Sequence, residues 1–487
     1  MDFQFQHNAV FDYSLDAVFR YYESPGTVVR LTPDWSATIL REPTQGLEVG
    51  SRTELLIGPP WAKTLTNKNL GARWLAEHTQ YEAGKGFTDE MRSGPMQSWV
   101  HSHNFSADEE NRTVVNDEVR YELPLQFALN RTPKIIQDKA QQRSHAELER
   151  IFNFRTQQTK ADLAFQTELQ QFTSTPKTIV MSGASGLVGT ALSAMLRSAG
   201  HRVVVLVRTN GNDIPPMPPG QRAVRWNPQG EILDARELIG ADIVINLAGA
   251  PIAGSFSEQH KSRIYESRLS ATRTLVSAMK QVIHLGGPQV LISASATGLY
   301  GPDVENVSEQ APVGEGFLAH VCEAWEREAV AAEEAGIRVA RIRTGLVLSA
   351  RGGILGAQLP LYLAGGGGPI GGGAMWMPWI GLEDLLRIYV LAALNPAISG
   401  AVNAVAPNPV RQREFAKTLG KILRRPAIIP VPAVAPTTLL GEEGARELAL
   451  SSCRAIPEAL EKVGYQFRHP TLEQALAHTL GRGSTFA

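Results

Sequence analysis

The chain has 487 residues, 43% hydrophobic and 20% charged, with 47 Lys and Arg against 48 Asp and Glu for a net charge of −1. These ordinary globular values exclude a disordered or fibrous chain, and without an excess of positive charge there is no footprint for nucleic acid or an anionic membrane. Cys322 and Cys453 are too few for a disulfide framework, and the length is that of two or three domains.

The opening residues MDFQFQHNAV show no basic stretch ahead of an apolar core, so no signal peptide is expected. No apolar run reaches the roughly 20 residues that span a bilayer. The expectation is a cytoplasmic protein with neither a nucleic acid nor a membrane as partner.

Phe3, Phe5 and residues 9–13 predict a first strand, and 15–24 has helical spacing with Ser14 as its N-cap. Further strands are predicted near 37–42, 50–57, 71–82, 98–105 and 113–121, many of them alternating like a sheet with one wet face. His101 and His103 share a face with Trp99. They can line a cavity, but with no third ligand in evidence no metal is expected. Trp35 and Trp61 read as core or cavity wall. Residues 132–171 turn helical, with Ile151, Phe154, Leu163 and Phe165 set among polar residues. A long helix laid over a curved sheet is the arrangement expected.

Residues 172–177 form a short polar linker. Beyond it, strands predicted at 178–182, 202–207, 242–246, 289–293 and 337–343 alternate with helices at 187–199, 257–283, 316–335 and 383–394. That alternation predicts an α/β domain with a doubly wound parallel sheet and crossover helices. The glycine-rich run 364–373 reads as a loop over a site.

The strongest motif lies at 178–208, where an apolar strand runs into Gly183, Gly186 and Gly189 and a helix follows. Gly183 permits a tight turn, Gly186 lets backbone approach a pyrophosphate, and Gly189 lets helix pack on strand. The free N–H groups of the helix start, with Ser185, Leu187 and Val188 in the same turn, then face the phosphates. A plain packing turn is the alternative. An NAD site has an acidic residue at the end of the second strand. Here Arg208 stands there, suited to the 2′-phosphate of NADP, unless it is simply a solvated arginine. The expected cofactor is therefore NADP(H). A third strand ends in Asn246, read as a brace rather than a ligand contact, and small residues after it would let the backbone pass beside the adenine ribose.

These motifs, with SASATGLYG at 293–301 and WIGLEDL at 379–385, resemble the extended short-chain dehydrogenase/reductases, which include sugar-nucleotide epimerases and dehydratases. ESRLSAT at 266–272, FLAHVCEAWE at 317–326, RTGLVLSARGG at 343–353 and the stretch 441–467 are similar to an atypical branch, called NAD-dependent epimerase/dehydratase-like proteins. Some of its members carry a cell-division-inhibitor label. The segments 24–35 and 94–105 resemble a START-like, polyketide-cyclase-type domain, which implies a helix-grip fold holding a possible apolar ligand. The resemblance implies three units: a START-like α+β domain at 1–172, an NADP(H)-binding Rossmann domain at 177–430, and a small C-terminal domain at 431–487 on the substrate side.

The same resemblance implies cofactor contacts from Leu247, Ala248 and Gly249, from Arg268, where related enzymes carry Asn, and from Thr344 at the nicotinamide end. It also sets a difficulty. The extended enzymes use Tyr-x-x-x-Lys as their acid–base pair, and matching on Trp325–Glu326 puts Leu318 and Cys322 at those positions. Ser295 and Tyr300 remain as catalytic candidates, with structural alternatives for both, and His320 as a possible substitute base. A small-molecule substrate and an unconventional oxidoreductase are one reading. An NADP(H)-responsive binding protein is the other. Oligomeric state is left open.

Overall fold

Alternating burial along the first third of the chain builds one antiparallel sheet, seen in a computed structural model that describes residues 3–43, 45–58, 70–124, 133–208, 214, 216–432 and 434–482. Trp61 lies outside the described residues. The strands are β1 (Phe3–Phe11), β2 (Ala37–Arg41), β3 (Arg52–Ile57), β4 (Ala72–Glu82), β5 (Gly86–Ser93), β6 (Ser98–Ala107) and β7 (Thr113–Glu122). They pair in the order β1-β7-β6-β5-β4-β3-β2. β5 was not anticipated, because Asp89, Glu90 and Arg92 mask its alternation. A tight turn, with Lys85 N–H donating to Glu82 O at 3.0 Å, folds it back on β4.

Between β1 and β2 lie α1 (Leu15–Glu23), capped by Ser14 accepting from Ala17 N–H, and the single turn α2 (Thr27–Arg30). The 36-residue α3 (Lys134–Leu169) crosses the concave face of the sheet. Its Leu148 and Phe152 pack on Phe3, Phe5, Val119 and Tyr121, while its last turns carry Phe165 and Leu169 into the core of the next unit. One helix thus belongs to two cores.

The second sheet is wholly parallel: β8 (Thr178–Ser182), β9 (Arg202–Val207), β10 (Gln221–Arg225), β11 (Ile243–Asn246), β12 (Val290–Ala296), β13 (Arg338–Thr344) and β14 (Gly400–Ala404), in the order β10-β9-β8-β11-β12-β13-β14. The order reverses direction between β8 and β11, the point at which such sheets open a ligand crevice. β10 and β14 escape the sequence pattern because they are short edge strands of small or charged residues. Helices α4 (Leu187–Ser198) and α8 (Leu382–Leu394) cover one face; α5 (Glu258–Val282) and α6 (Phe317–Val330) cover the other. This is a Rossmann-type fold. A third core gathers α7 (Gly353–Leu363), α9 (Gln412–Leu423) and α10 (Leu472–Leu480) around Trp379 and Phe415. The glycine-rich run is tied into it: Ile370 bridges Val431, and a Cβ on Gly368 would lie 2.0 Å from Ile429 O. It is a packed connection rather than a loose cover.

Buried ion pairs join the antiparallel unit to the rest. The Arg30 guanidinium donates to Asp162 at 2.8 and 2.9 Å and to Glu383 at 2.6 and 2.9 Å, and Arg468 adds a bond to Glu383 at 3.0 Å. Burial would raise the Glu383 carboxyl, but the Arg30 and Arg468 guanidiniums hold it well below its usual range. Arg197 on α4 grips Glu42 at 2.7 and 2.9 Å, and a Cβ on Gly26 would meet Ala194 O at 2.6 Å. Among the described residues, no helix is long and apolar enough to cross a membrane.

Candidate functional site

The reversal of strand order puts the candidate site at the C-terminal ends of β8 and β11, where the glycine turn follows β8. Gly183 has φ +67°, and a Cβ there would stand 2.6 Å from the Leu247 carbonyl. A Cβ on Gly189 would stand 2.2 Å from Gly183 O, so α4 can pack against the turn only with glycine at that position. Gly186 is the residue before α4 and has no side-chain cap, so the first N–H groups of the helix are left for a ligand. Ser185 is exposed; Leu187 and Val188 are half-buried. A side chain at either packing glycine would force the turn away from α4 or from the 247–248 backbone, and the arrangement fits the pyrophosphate of a dinucleotide.

A polar chain fixes the opposite lip. Ser182 Oγ donates to Asn246 Oδ1 at 2.6 Å and accepts from the N–H groups of Leu247 and Ala248 at 3.1 and 3.2 Å. Asn246 Nδ2 donates to Thr272 at 2.8 Å. Asn246 is fully buried and braces the loop. Arg268 lies beneath it: Nη1 donates to Ala250 O at 3.1 Å and to Ile264 O at 3.0 Å, its guanidinium stacks 5.2 Å over Trp325, and a Cβ on Gly249 would touch it at 3.1 Å. Burial lowers its pKa. Arg268 is thus built into the underside of the 247–250 loop.

Arg208 stands exposed at the end of β9 and pairs with no carboxylate among the described residues. Thr344 ends β13, half-buried. Ser295 and Tyr300 are deep in the protein. Ser295 Oγ donates to Glu326 Oε1 at 2.7 Å, and that carboxylate is held by Arg343 at 2.8 and 3.0 Å and Arg341 at 3.1 Å. Tyr300 donates to Asn403 Oδ1 at 2.6 Å and accepts from Arg343 Nη1 at 3.0 Å; burial raises its pKa. Cys322 is buried on α6, with its thiol pushed up to about 12 by burial. His320 is exposed on the same helix. The start of α6 is closed by Glu447, which accepts from the N–H groups of Phe317 and Leu318 at 2.8 and 2.7 Å. Sequence reasoning missed Glu326, Arg343 and Glu447, since nothing in their spacing marks them.

The antiparallel unit encloses a second site, a cavity of about 550 Å³ walled by Trp74, Phe87, Trp99, Leu148 and Phe152. Asp89, His101 and His103 share its floor. The register explains the grouping: Asp89 lies opposite His101, and His103 opposite Asp117. Burial would lower the His101 pKa, but Asp117 and Asp89 raise it; burial would raise both carboxyls, and the two histidines hold them low.

Residues 179–404 match the model of the NAD dependent epimerase/dehydratase family, and 431–479 match a domain of unknown function, DUF1731. An epimerase family protein of Mycobacterium bovis is 38% identical over 306 residues, which are 62% of this chain and 98% of that protein. The crystal structure of a nucleoside-diphosphate sugar epimerase from Corynebacterium glutamicum superposes with a TM-score of 0.76 at 32% identity, covering 98% of this chain and 90% of that one. The human epimerase family protein SDR39U1, solved with NADPH, superposes with a TM-score of 0.56 at 29% identity, covering 62% of this chain and 99% of that one.

Proposed function

We propose, from the premise that this chain belongs to the NAD dependent epimerase/dehydratase family, that it is an NADP(H)-binding protein of oxidoreductase type lacking the usual Tyr–Lys pair. The observation that carries this reading is the side-chain-free cradle at Gly183 and Gly189 with an exposed guanidinium, Arg208, on the neighbouring strand end. The residues 183–189 bind the pyrophosphate through backbone N–H groups. Arg208 pairs with the 2′-phosphate, Leu247–Gly249 flank the adenine ribose, Arg268 holds that loop from below, and Thr344 borders the nicotinamide end. When bound, the cofactor would supply a hydride donor or acceptor.

A phenol and an ammonium normally share the proton chemistry. Leu318 and Cys322 stand in their positions on our matching, and a thiol pushed up to about 12 is no general base near neutrality. Ser295 and Tyr300 have hydroxyls committed to Glu326 and Asn403, so we assign them a positioning rather than a proton-transfer role. The proton comes from substrate, from water, or from an exposed group such as His320.

A second reading has support of its own. The helix that opens on the glycine turn is covered along its later half by the antiparallel unit, through Gly26 against Ala194 and Glu42 against Arg197. Gly26 and Glu42 also line the cavity. A START-like domain holding an apolar ligand there would act on the helix that binds the nucleotide, making the protein a sensor. Its seat would be the cytoplasm. Screening carbonyl compounds for NADPH oxidation separates the two readings: turnover supports the oxidoreductase, and tight NADPH binding with none supports the sensor.

A further inference from the structure

The cavity floor holds a polar cluster that neither reading uses. Four groups form a ring. His101 Nδ1 lies 3.4 Å and His103 Nε2 3.8 Å from Asp89 Oδ2 on the cavity side. On the far side, His101 Nε2 lies 3.0 Å and His103 Nδ1 2.6 Å from Asp117 Oδ1. The two imidazoles are 3.8 Å apart between centroids. His101, His103 and Asp117 are buried, at 3%, 6% and 5% exposure.

Asp117 and Asp89 can both only accept, so each ring set between them must donate to both as an imidazolium or, when neutral, face one of them with a lone pair. A neutral ring that donates to Asp117 turns its other nitrogen's lone pair on Asp89, and a divalent cation set among His101 Nδ1, His103 Nε2 and Asp89 takes the place of the imidazolium proton. His103 Nδ1, despite its short approach to Asp117, has no well-directed hydrogen bond. Buried acceptors in this arrangement call for a cation between them. One ligand atom from each of Asp89, His101 and His103 lies within 4.8 Å of the others. Ligands bonded at 2.0–2.2 Å and tetrahedral angles lie about 3.4 Å apart, so His101 Nδ1 and Asp89 already stand at that separation. Two nitrogens and one carboxylate, with the far nitrogen of His101 hydrogen-bonded to Asp117, make a donor set for zinc or a neighbouring first-row ion.

We propose that the N-terminal cavity carries a site for a divalent first-row transition ion, ligated by Asp89, His101 and His103 and oriented by Asp117. The three ligands leave positions open towards the cavity. Its walls of Trp74, Trp99 and Phe152 fit an apolar molecule that brings a carbonyl, carboxylate or hydroxyl oxygen to the ion. The ion offsets the charge of Asp89 and of the buried Asp117, and the open positions select ligands with an oxygen at one end.

The test uses the full chain, free of any affinity tag, stripped with EDTA and dialysed. Titration with Zn²⁺ by calorimetry is expected to show one equivalent bound, and Co²⁺ is expected to give visible ligand-field bands that Zn²⁺ displaces and Mg²⁺ does not. Asp89→Asn and His103→Gln are expected to weaken uptake at least a hundredfold, and Asp117→Asn by about 10–100-fold. No saturable uptake of either ion by the folded wild-type chain would overturn the proposal and leave the ring as proton-linked ion pairs. Unchanged affinity in a folded Asp89→Asn protein would overturn it too. The wild-type Co²⁺ spectrum decides alone should the variants fail to fold.

Discussion

The two cavities of this molecule are built from opposite materials. The crevice at the parallel sheet is made of backbone: three glycines, the start of α4 and a loop braced by Ser182 and Asn246, with the exposed Arg208 at its edge. The cavity in the antiparallel unit is made of side chains, aromatic walls around a buried ring of His and Asp. A backbone site tolerates almost no added atom but is indifferent to most side chains around it. A side-chain site tolerates reshaping of its walls but depends on each polar member of its floor. The comparison therefore says where substitutions will act and how strongly.

The largest effect should come from Gly189→Val. Its Cβ would stand 2.2 Å from a backbone oxygen, and the helix cannot withdraw without opening the cradle. Calorimetry is expected to find NADPH binding abolished in a protein whose circular dichroism still shows the antiparallel unit. Retained binding would break the backbone half of the comparison.

Next come the contacts that join the two regions. Arg30→Met leaves Asp162 and Glu383 buried without their shared cation, and losing one partner of such a pair costs about 3–5 kcal/mol. Urea unfolding is expected to change from one transition to two, as the units separate. Acid should mimic this. Glu383 is held below its ordinary value by Arg30 and Arg468, so its contribution is complete above the unfolded value near 4.3 and is lost as pH falls through the lower folded value. Glu383→Gln should weaken the interface at neutral pH and flatten the acid limb of the stability profile.

Arg208→Asp is expected to be smaller and more selective. A charged hydrogen bond contributes about 1.5–3 kcal/mol, so NADPH affinity should fall about ten- to a hundredfold while NADH affinity holds or rises. Smallest is Tyr300→Phe. It removes a bond to Asn403 and leaves Arg343 with Glu309 O and Glu326, a loss of about 1 kcal/mol in stability with NADPH affinity unchanged. A hundredfold fall in any turnover the protein proves to have would instead restore Tyr300 as a catalytic group.

The two regions also differed in what could be read from residue order. The Rossmann sheet, its glycine turn and the crossover helices are local patterns: each strand is a short apolar run, and Gly183, Gly186 and Gly189 are neighbours in sequence. Ser14 as the cap of α1 is local in the same way. The floor of the front cavity is not. His101 and His103 show their shared face through a spacing of two, but Asp89 and Asp117 come from other strands, and β5 itself was hidden by its charges. Only the register brings Asp89 to the histidines. The commitments of Ser295 and Tyr300 were hidden for the same reason, since Glu326 and Asn403 reach them across the fold.

The most direct measurement for the central claim is a pair of calorimetric titrations on the folded wild-type chain, NADPH against NADH at one salt concentration. The account expects NADPH to bind at least tenfold more tightly. Equal affinities, or no heat with either dinucleotide, would contradict it.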